Sequence, residues 1–451
     1  GAMIGWSWVL MTGVWLERAG MLGTVVAFAV GGFAIILISL TYAELASAMP
    51  KAGGEHVYAK RALGPNGSFV ATWAILMAYV TVPVFESAAL PTALEYLFPD
   101  LAVGQLWSVA GADVHVSLVI VGIAGAVAMT IVNYVGISFA ATVQGIVTLC
   151  FFLVGASFIV GSTAQVDLGT ISLGFGDAGI VGVLGVLIMV PAVMVGFDVI
   201  PQSAEEANVP PRRLGAILVT SVAAAVLWYV LITLAVGLTF SPSELSEAKI
   251  ATADANAKVW GGGWAGNLMI VAGVGGILTS WNAFVVGASR VIYALALSGM
   301  LPAAFARLHP KYQTPHVAIL AIGAISCVSP FFGKTILVWL IDAGSFAIVI
   351  AYGMVAWSFL VLRRREPDMP RPYRVRYGAA VGWCALALSI GLGMIYLPFS
   401  PSALIWPYEW LMVLGWTLLG VVVWLVQGVG KLPDDRPQGD NTPAGTSEAN
   451  P

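Results

Sequence analysis

The feature that most constrains this chain is the recurrence, from one end to the other, of apolar stretches about 20 residues long, separated by short polar connections. At a rise of about 1.5 Å per residue, each stretch crosses the ~30 Å hydrocarbon core of a bilayer as a helix. Only 10% of the residues are charged and 59% are hydrophobic, against roughly 25% charged in an ordinary soluble domain. A large water-soluble core is thereby excluded. The sequence predicts an all-α integral membrane protein, with the lipid bilayer as its surroundings.

About twelve transmembrane helices are expected. The first is broken and runs to about Leu16; the next four cover residues 21–48, 68–98, 114–133 and 137–161. The sixth runs from Ile180 to about Ser203, and the seventh and eighth cover 214–240 and 264–296. The last four cover 317–332, 336–362, 379–397 and 407–429. Residues 49–66 read as a polar loop, and 241–263 as a solvated connection with room for a short surface helix. Residues 430–451 form a tail rich in Pro, Gly, Asp and Asn, read as disordered because it has too little apolar surface to offset the entropy of ordering. The chain opens inside an apolar segment, so a lead-in and the first turns of that helix are expected to precede Gly1.

Positive charge orients the bundle, since short cytoplasmic loops carry the excess of Lys and Arg. Lys51, Lys60 and Arg61 share one connection, Arg212 and Arg213 another, Arg307 and Lys311 a third, and the arginines from Arg363 to Arg376 a fourth. Arg18, Lys249, Lys258 and Lys334 fall on the alternate connections. Both termini are therefore expected in the cytoplasm, in a multi-pass protein of the cell's inner membrane. Glu44, at the end of the second span, is expected to pair with the Lys51 loop.

Cys150, Cys327 and Cys384 lie far apart within apolar stretches, and His56, His115, His309 and His316 fall in or beside loops. Neither set has disulfide, metal or catalytic spacing. No cofactor, metal or nucleic acid is expected, and no enzymatic centre.

Two interruptions stand out. Gly5 and Ser7 break the first span within Ile4-Gly5-Trp6-Ser7-Trp8, and Gly196 breaks the sixth within Val193-Met194-Val195-Gly196-Phe197, just after Pro191. Backbone leaves the helix inside a membrane only where protein or a water-lined cavity satisfies its freed groups. Paired interruptions in corresponding halves point to a transporter's binding site. Freed N–H groups suit a carboxylate and freed carbonyls an ammonium. Glycines at this spacing also suit close helix packing, and spacing alone does not choose between the two.

Four further features are open in the same way. Asp198 caps the second break or carries a proton. Glu86, midway along the third span, is a proton carrier, a counter-charge for an amine, or a structural carboxyl bonded to neighbouring backbone, because carboxylates at mid-membrane face a cavity or a partner. Asp342, near Gly344 and Ser345, is a weaker charge candidate. Trp281 and Asn282 interrupt the eighth span and are candidates for a cavity wall.

Several stretches together resemble the amino acid–polyamine–organocation superfamily, in particular bacterial amino acid permeases. Gly1-Ala2-Met3-Ile4-Gly5-Trp6-Ser7-Trp8 resembles the first-helix motif Gly-x-x-Ile-Gly-x-Gly. Tyr42-Ala43-Glu44-Leu45 with Pro50-Lys51-Ala52-Gly53-Gly54 resembles the second-helix exit. Gly196-Phe197-Asp198 with Ala204-Glu205-Glu206 resembles the broken sixth helix, and Ser289-Arg290-Val291-Ile292-Tyr293 the eighth. Leu362-Arg363-Arg364-Arg365-Glu366-Pro367 resembles the tenth-helix exit.

The resemblance implies a LeuT-like fold with a 5+5 inverted repeat and broken helices one and six. Its halves would be residues 1–162 and 163–362, followed by a basic loop and two helices (363–429) and the tail (430–451). It implies transport of an amino acid or related amine by alternating access, here expected as proton-coupled uptake, with H+ as coupling ion and exchange as the alternative. A sensor or enzyme on the same fold is the remote alternative. The substrate's main-chain groups would meet Ile4, Gly5, Trp6, Ser7 and Trp8, and facing them Val193, Met194, Val195, Gly196 and Phe197. Ser7 stands where the family has its second glycine, and the fifth span lacks the lysine that some members use in proton coupling. Glu86 is the candidate to replace it.

Overall fold

The computed structural model describes residues 2–136, 141–164, 174–202 and 209–433. Gly1, the exit motif at 204–208 and the tail from 434 onward lie outside the described residues. Among the described residues, nine helices are long and apolar enough to cross a membrane, and the shorter apolar helices Gly179–Val193 and His316–Ser326 add to them.

The chain begins with bends at residues 3–6, then α1 (Ser7–Leu10), then α2 (Thr12–Ala48). Helix α2 contains two membrane segments, because Gly20 (φ 68°, ψ 178°) turns the chain where no side-chain-bearing residue sits easily. Residues 174–176 pass against that turn: Gly176 N donates to Ala19 O at 2.8 Å, and Leu22 N to Gly174 O at 3.2 Å. Helix α3 (Glu55–Leu97) begins inside the stretch read as loop, and Gly64 (φ 80°) separates its short first segment from the membrane segment. The loop reading failed because His56, Lys60 and Arg61 made polar a turn that packs: Glu55, His56 and Tyr58 are buried.

The all-α expectation needs one correction. Strands β1 (Gln105–Val109) and β2 (Ala112–His115) form an antiparallel hairpin, its turn made by Ala110 (φ 48°) and Gly111 (φ 82°). Positive φ at both central turn residues matches the right-handed twist of the strands. Trp107 Nε1 anchors the hairpin to the Phe331 carbonyl at 3.0 Å.

Helices α4 (Val116–Val135) and α5 (Ala141–Ala164) precede a segment broken into α6 (Gly179–Leu187), α7 (Val190–Val193) and α8 (Val199–Gln202). Helix α9 (Pro211–Thr239) follows, then α10 (Pro242–Glu247) and α11 (Ala251–Val259) in the connection expected to be solvated. Only α10 is. Alanines and Thr252 bury α11, and Thr252 Oγ1 donates to the Trp8 carbonyl at 3.1 Å, closing over the end of α1. On α10, the Ser241 capping box and Lys258 Nζ (2.6 Å) hold the Glu244 carboxyl down to about 2. A depressed carboxyl stabilises above its unfolded value near 4.5 and loses that contribution only as pH falls toward 2. This clamp therefore stays intact across the pH range of a transport assay.

Helix α12 (Gly263–Leu297), the short α13 (His316–Ser326), α14 (Ile336–Arg365), α15 (Gly378–Ile395) and α16 (Tyr408–Gln427) complete the bundle. The cysteines of the apolar stretches are not in the core: Cys150 and Cys384 are exposed on the outer helix faces and Cys327 is half-buried.

Glu44 also finds different partners from those expected. Its fully buried carboxylate takes Arg363 (Nε 2.9 Å, Nη2 2.5 Å), Arg371 Nε at 3.0 Å and the Val375 amide at 2.8 Å. Lys51 is not among them. The loop after α14 is thus strapped to the end of α2. Glu44→Gln leaves two guanidinium groups short of a counter-charge; since Arg363 stays 19% exposed, the expected loss is about 2 kcal/mol, below the range for a fully buried pair. Thermal unfolding in detergent reads it, and an unchanged midpoint would reduce the strap to a surface contact.

Candidate functional site

The two interruptions meet. At Gly196 (φ 129°) an added Cβ would lie 2.9 Å from Met3 N and 3.0 Å from Ala2 C, so the backbone of one break passes directly over the other. Asp198 holds the second break open: its Oδ1 accepts from Gly196 N at 2.7 Å, and its Oδ2 from the Tyr352 hydroxyl at 3.4 Å. On the helix side of the same break, Ser345 Oγ accepts from Ala192 N at 2.9 Å. Side chains here replace the helical partners that the backbone gave up.

Tyr229 of α9 ties the breaks together. Its hydroxyl lies 3.2 Å from the Met3 carbonyl, 3.0 Å from the Val193 carbonyl and 2.8 Å from Ser7 Oγ. Tyr229→Phe removes all three contacts without changing packing. Buried groups left unpaired cost about 1–3 kcal/mol, so uptake is expected to fall about tenfold or more. A Phe variant transporting at the wild-type rate would show that packing alone sets the breaks.

Beside this crossing lies a cavity of about 60 Å³. Gly5, Trp6 and Ser7 line one side and Val193 and Val195 another. Helix α3 contributes Thr81, Phe85 and Glu86, α12 contributes Ser280 and Phe284, and α14 contributes Leu340 and Ile341. The lining has one ionisable side chain, Glu86, which is 2% exposed. Its Oε1 accepts from the Ser280 hydroxyl, which also reaches the Gly276 carbonyl at 2.9 Å. Glu86 Oε2 and Trp6 Nε1 have no hydrogen-bond partner among the described residues. The cavity is thus lined by residues carrying one unused acceptor and one unused donor.

Gly5 is needed for close approach: a Cβ there would lie 2.9 Å from Ser280 Oγ and 3.5 Å from Glu86 Oε1. Trp6 packs directly on α12, where a Cβ on Gly273 would fall 2.1 Å from its ring.

The other residues expected at the site are near it but turned away. Ile4 and Met194 are buried outside the lining. Trp8 packs edge-on against Phe151 and Trp228, at 4.8 and 5.5 Å. Phe197 sits behind the break between Tyr42 and Tyr352, at 5.3 and 5.5 Å. Trp281 faces α4, its ring 3.4 Å from a Cβ built on Gly125, and half-buried Asn282 is also outside the lining. One residue before Trp281, Ser280 takes the place expected of that pair, because a helix turns about 100° per residue. Asp342 is 2% exposed and turned toward Glu409 of α16 rather than the cavity.

Sequence reading missed Tyr229, Ser280, Thr81, Phe284, Leu340 and Ile341. It also missed a buried polar group beyond Asp198, where Gln202 Nε2 donates to Glu55. Tyr229 left one signal, a lone phenol in a seventh span without a charged residue.

Residues 1–426 match the amino acid permease family. Among its relatives, the branched-chain amino acid permease BcaP of Bacillus subtilis is 24% identical over 94% of this chain and 90% of its own length. The methylthioribose transporter of the same organism is 22% identical over the same shares. Cationic amino acid transporter 4 of Homo sapiens is 26% identical over 82% of this chain and 59% of its own length. With the match running through both interruptions and nearly the whole chain, this multi-pass membrane protein belongs to the amino acid permease family, a family of transporters and not of enzymes.

Proposed function

We propose that the chain carries an amino acid or related amine across the cytoplasmic membrane by alternating access, as proton-coupled uptake. The observation that carries this reading is the crossing of the two interrupted segments beside a small cavity with one carboxyl in its wall. The proposed architecture is a LeuT-like 5+5 inverted repeat of about twelve spans. Residues 1–162 and 163–362 are its halves, 363–429 hold the basic connection and last two helices, and 430–451 are the tail. The Lys and Arg placement supports a cytoplasmic position for both termini.

In this reading the substrate's main-chain groups engage the backbone around Gly5 to Ser7 and Val193 to Val195. Its side chain lies among Phe85, Phe284, Leu340 and Ile341. Glu86 takes the proton or meets the ammonium. The names of the relatives, which cover branched-chain amino acids, methylthioribose and cationic amino acids, support a small organic solute and leave this chain's own choice to its lining. That lining is apolar with one carboxyl and no basic side chain, which favours an amine-bearing substrate with an apolar body.

Purified protein in proteoliposomes, offered a panel of amino acids and amines under imposed pH or sodium gradients, tests this. Uptake driven by inward proton flow is the expected result. Uptake that needs internal substrate and ignores the pH gradient would make the protein an exchanger, and no uptake of any member under any gradient would overturn the transport reading.

A further inference from the structure

The wall of the central cavity is thin on one side. Thr81 of α3 and Leu340 of α14 line that cavity, and the same two residues line a second, apolar cavity of about 270 Å³. The second cavity lies between α3, α13, α14 and α16, with Met77, Val84, Ile336 and Met412 among its walls, and it opens at the helix surface, where Val328 and Leu419 are about half exposed. Helical geometry explains the sharing. Residues 77, 80/81 and 84 form one stripe of α3 and residues 81/82, 85 and 86 the neighbouring stripe, so Thr81 belongs to both. On α14, Ile336 and Leu340 face the second cavity, and Leu340 and Ile341 face the first.

One turn beyond Leu340 the two helices touch. A Cβ on Gly344 would lie 2.8 Å from Thr81 Oγ1, so the partition is closed at that end by the Thr81 side chain against the Gly344 backbone and beside it by the Leu340 side chain. Thr81 spends its hydroxyl on the Ala78 carbonyl at 2.8 Å and leaves the partition without a free donor. The partition is therefore apolar on both sides and depends on one movable side chain.

We infer that Leu340, with Thr81, sets the length of substrate side chain this protein accepts, and that the second cavity receives the apolar tail of a substrate that displaces Leu340. This rests on the central cavity being the transport site. The occupant follows from continuity: the partition residues are shared with the central cavity, and beyond them the lining contains no charged group to select anything but hydrocarbon. A bilayer acyl chain is the competing occupant.

The test is uptake of a straight-chain series (alanine, norvaline, norleucine and 2-aminooctanoate) by the full chain in proteoliposomes, scored as kcat/KM relative to alanine. In Leu340→Ala the relative value for the longer members should rise by about fourfold per methylene that enters the opened space, the gain from burying a CH2 group. Leu340→Trp should reverse the trend. Leu419→Trp, which fills the second cavity from its far wall without touching the central one, should penalise 2-aminooctanoate more than norvaline. Thermal stabilisation of each variant by the same series gives the ranking for any variant too slow to assay.

Ratios unchanged in all three variants would overturn the inference and leave the second cavity to lipid. Wild-type protein that takes up no member of the series while transporting another amino acid would overturn it as well, without touching the transport reading. Failure to transport anything on the wider panel would remove both.

Discussion

Gly196→Ala is expected to abolish uptake. Alanine at φ 129° is strained, a cost of about 1–3 kcal/mol. Its Cβ would also meet Met3 N at 2.9 Å and Ala2 C at 3.0 Å. Those are backbone atoms of the facing break and cannot rotate aside as a side chain does. Relief requires the two segments to separate, which pulls Met3 and Val193 off the Tyr229 hydroxyl. The expected drop in kcat/KM is about 100-fold or more, given that each 1.4 kcal/mol is tenfold. Gly391→Ala on α15, where a Cβ meets nothing within 4 Å, should transport normally. Uptake by Gly196→Ala within twofold of wild type would show that the crossing of the breaks is incidental.

Glu86→Gln should remove the acceleration of uptake by an inward proton gradient while leaving substrate binding in place. Glutamine keeps a carbonyl oxygen to accept from Ser280 and occupies the same volume, so the wall is retained and only ionisation is lost. The expected rate under a proton gradient falls to that of the gradient-free control, and the pH profile flattens. Unchanged pH dependence would make Glu86 a structural carboxyl, and loss of binding would make it the ammonium's partner.

Much of the bundle was legible because hydrophobic length is a direct readout of bilayer thickness: the expected start of the second span at residue 21 falls on the residue after the Gly20 turn. What escaped were elements whose amphipathic signal is ambiguous. The opening turns of α3 carry His56, Lys60 and Arg61 and read as loop, yet Glu55, His56 and Tyr58 are buried against neighbours that only the folded chain supplies. The hairpin at 105–115 is too short for periodicity to separate from loop. At the site, glycine placement found both breaks, since unwinding is a local property of the backbone. The partners of those breaks come from α3, α9, α12 and α14, and no local pattern records which face of a uniformly apolar helix turns inward. Trp281 attracted attention as the conspicuous residue, whereas the adjacent and unremarkable Ser280 faces the carboxyl.

Tyr229 has a consequence for hydrogen-bond arithmetic. One phenol offers a single hydrogen, and it stands before two carbonyls, Met3 and Val193, that belong to different breaks. The protein alone therefore has to share that hydrogen between the two segments. A primary ammonium brings three donors. Placed beside the same carbonyls, it would serve both at once and release the phenol to Ser7, so that a bound amine would relieve the sharing between the two interrupted segments.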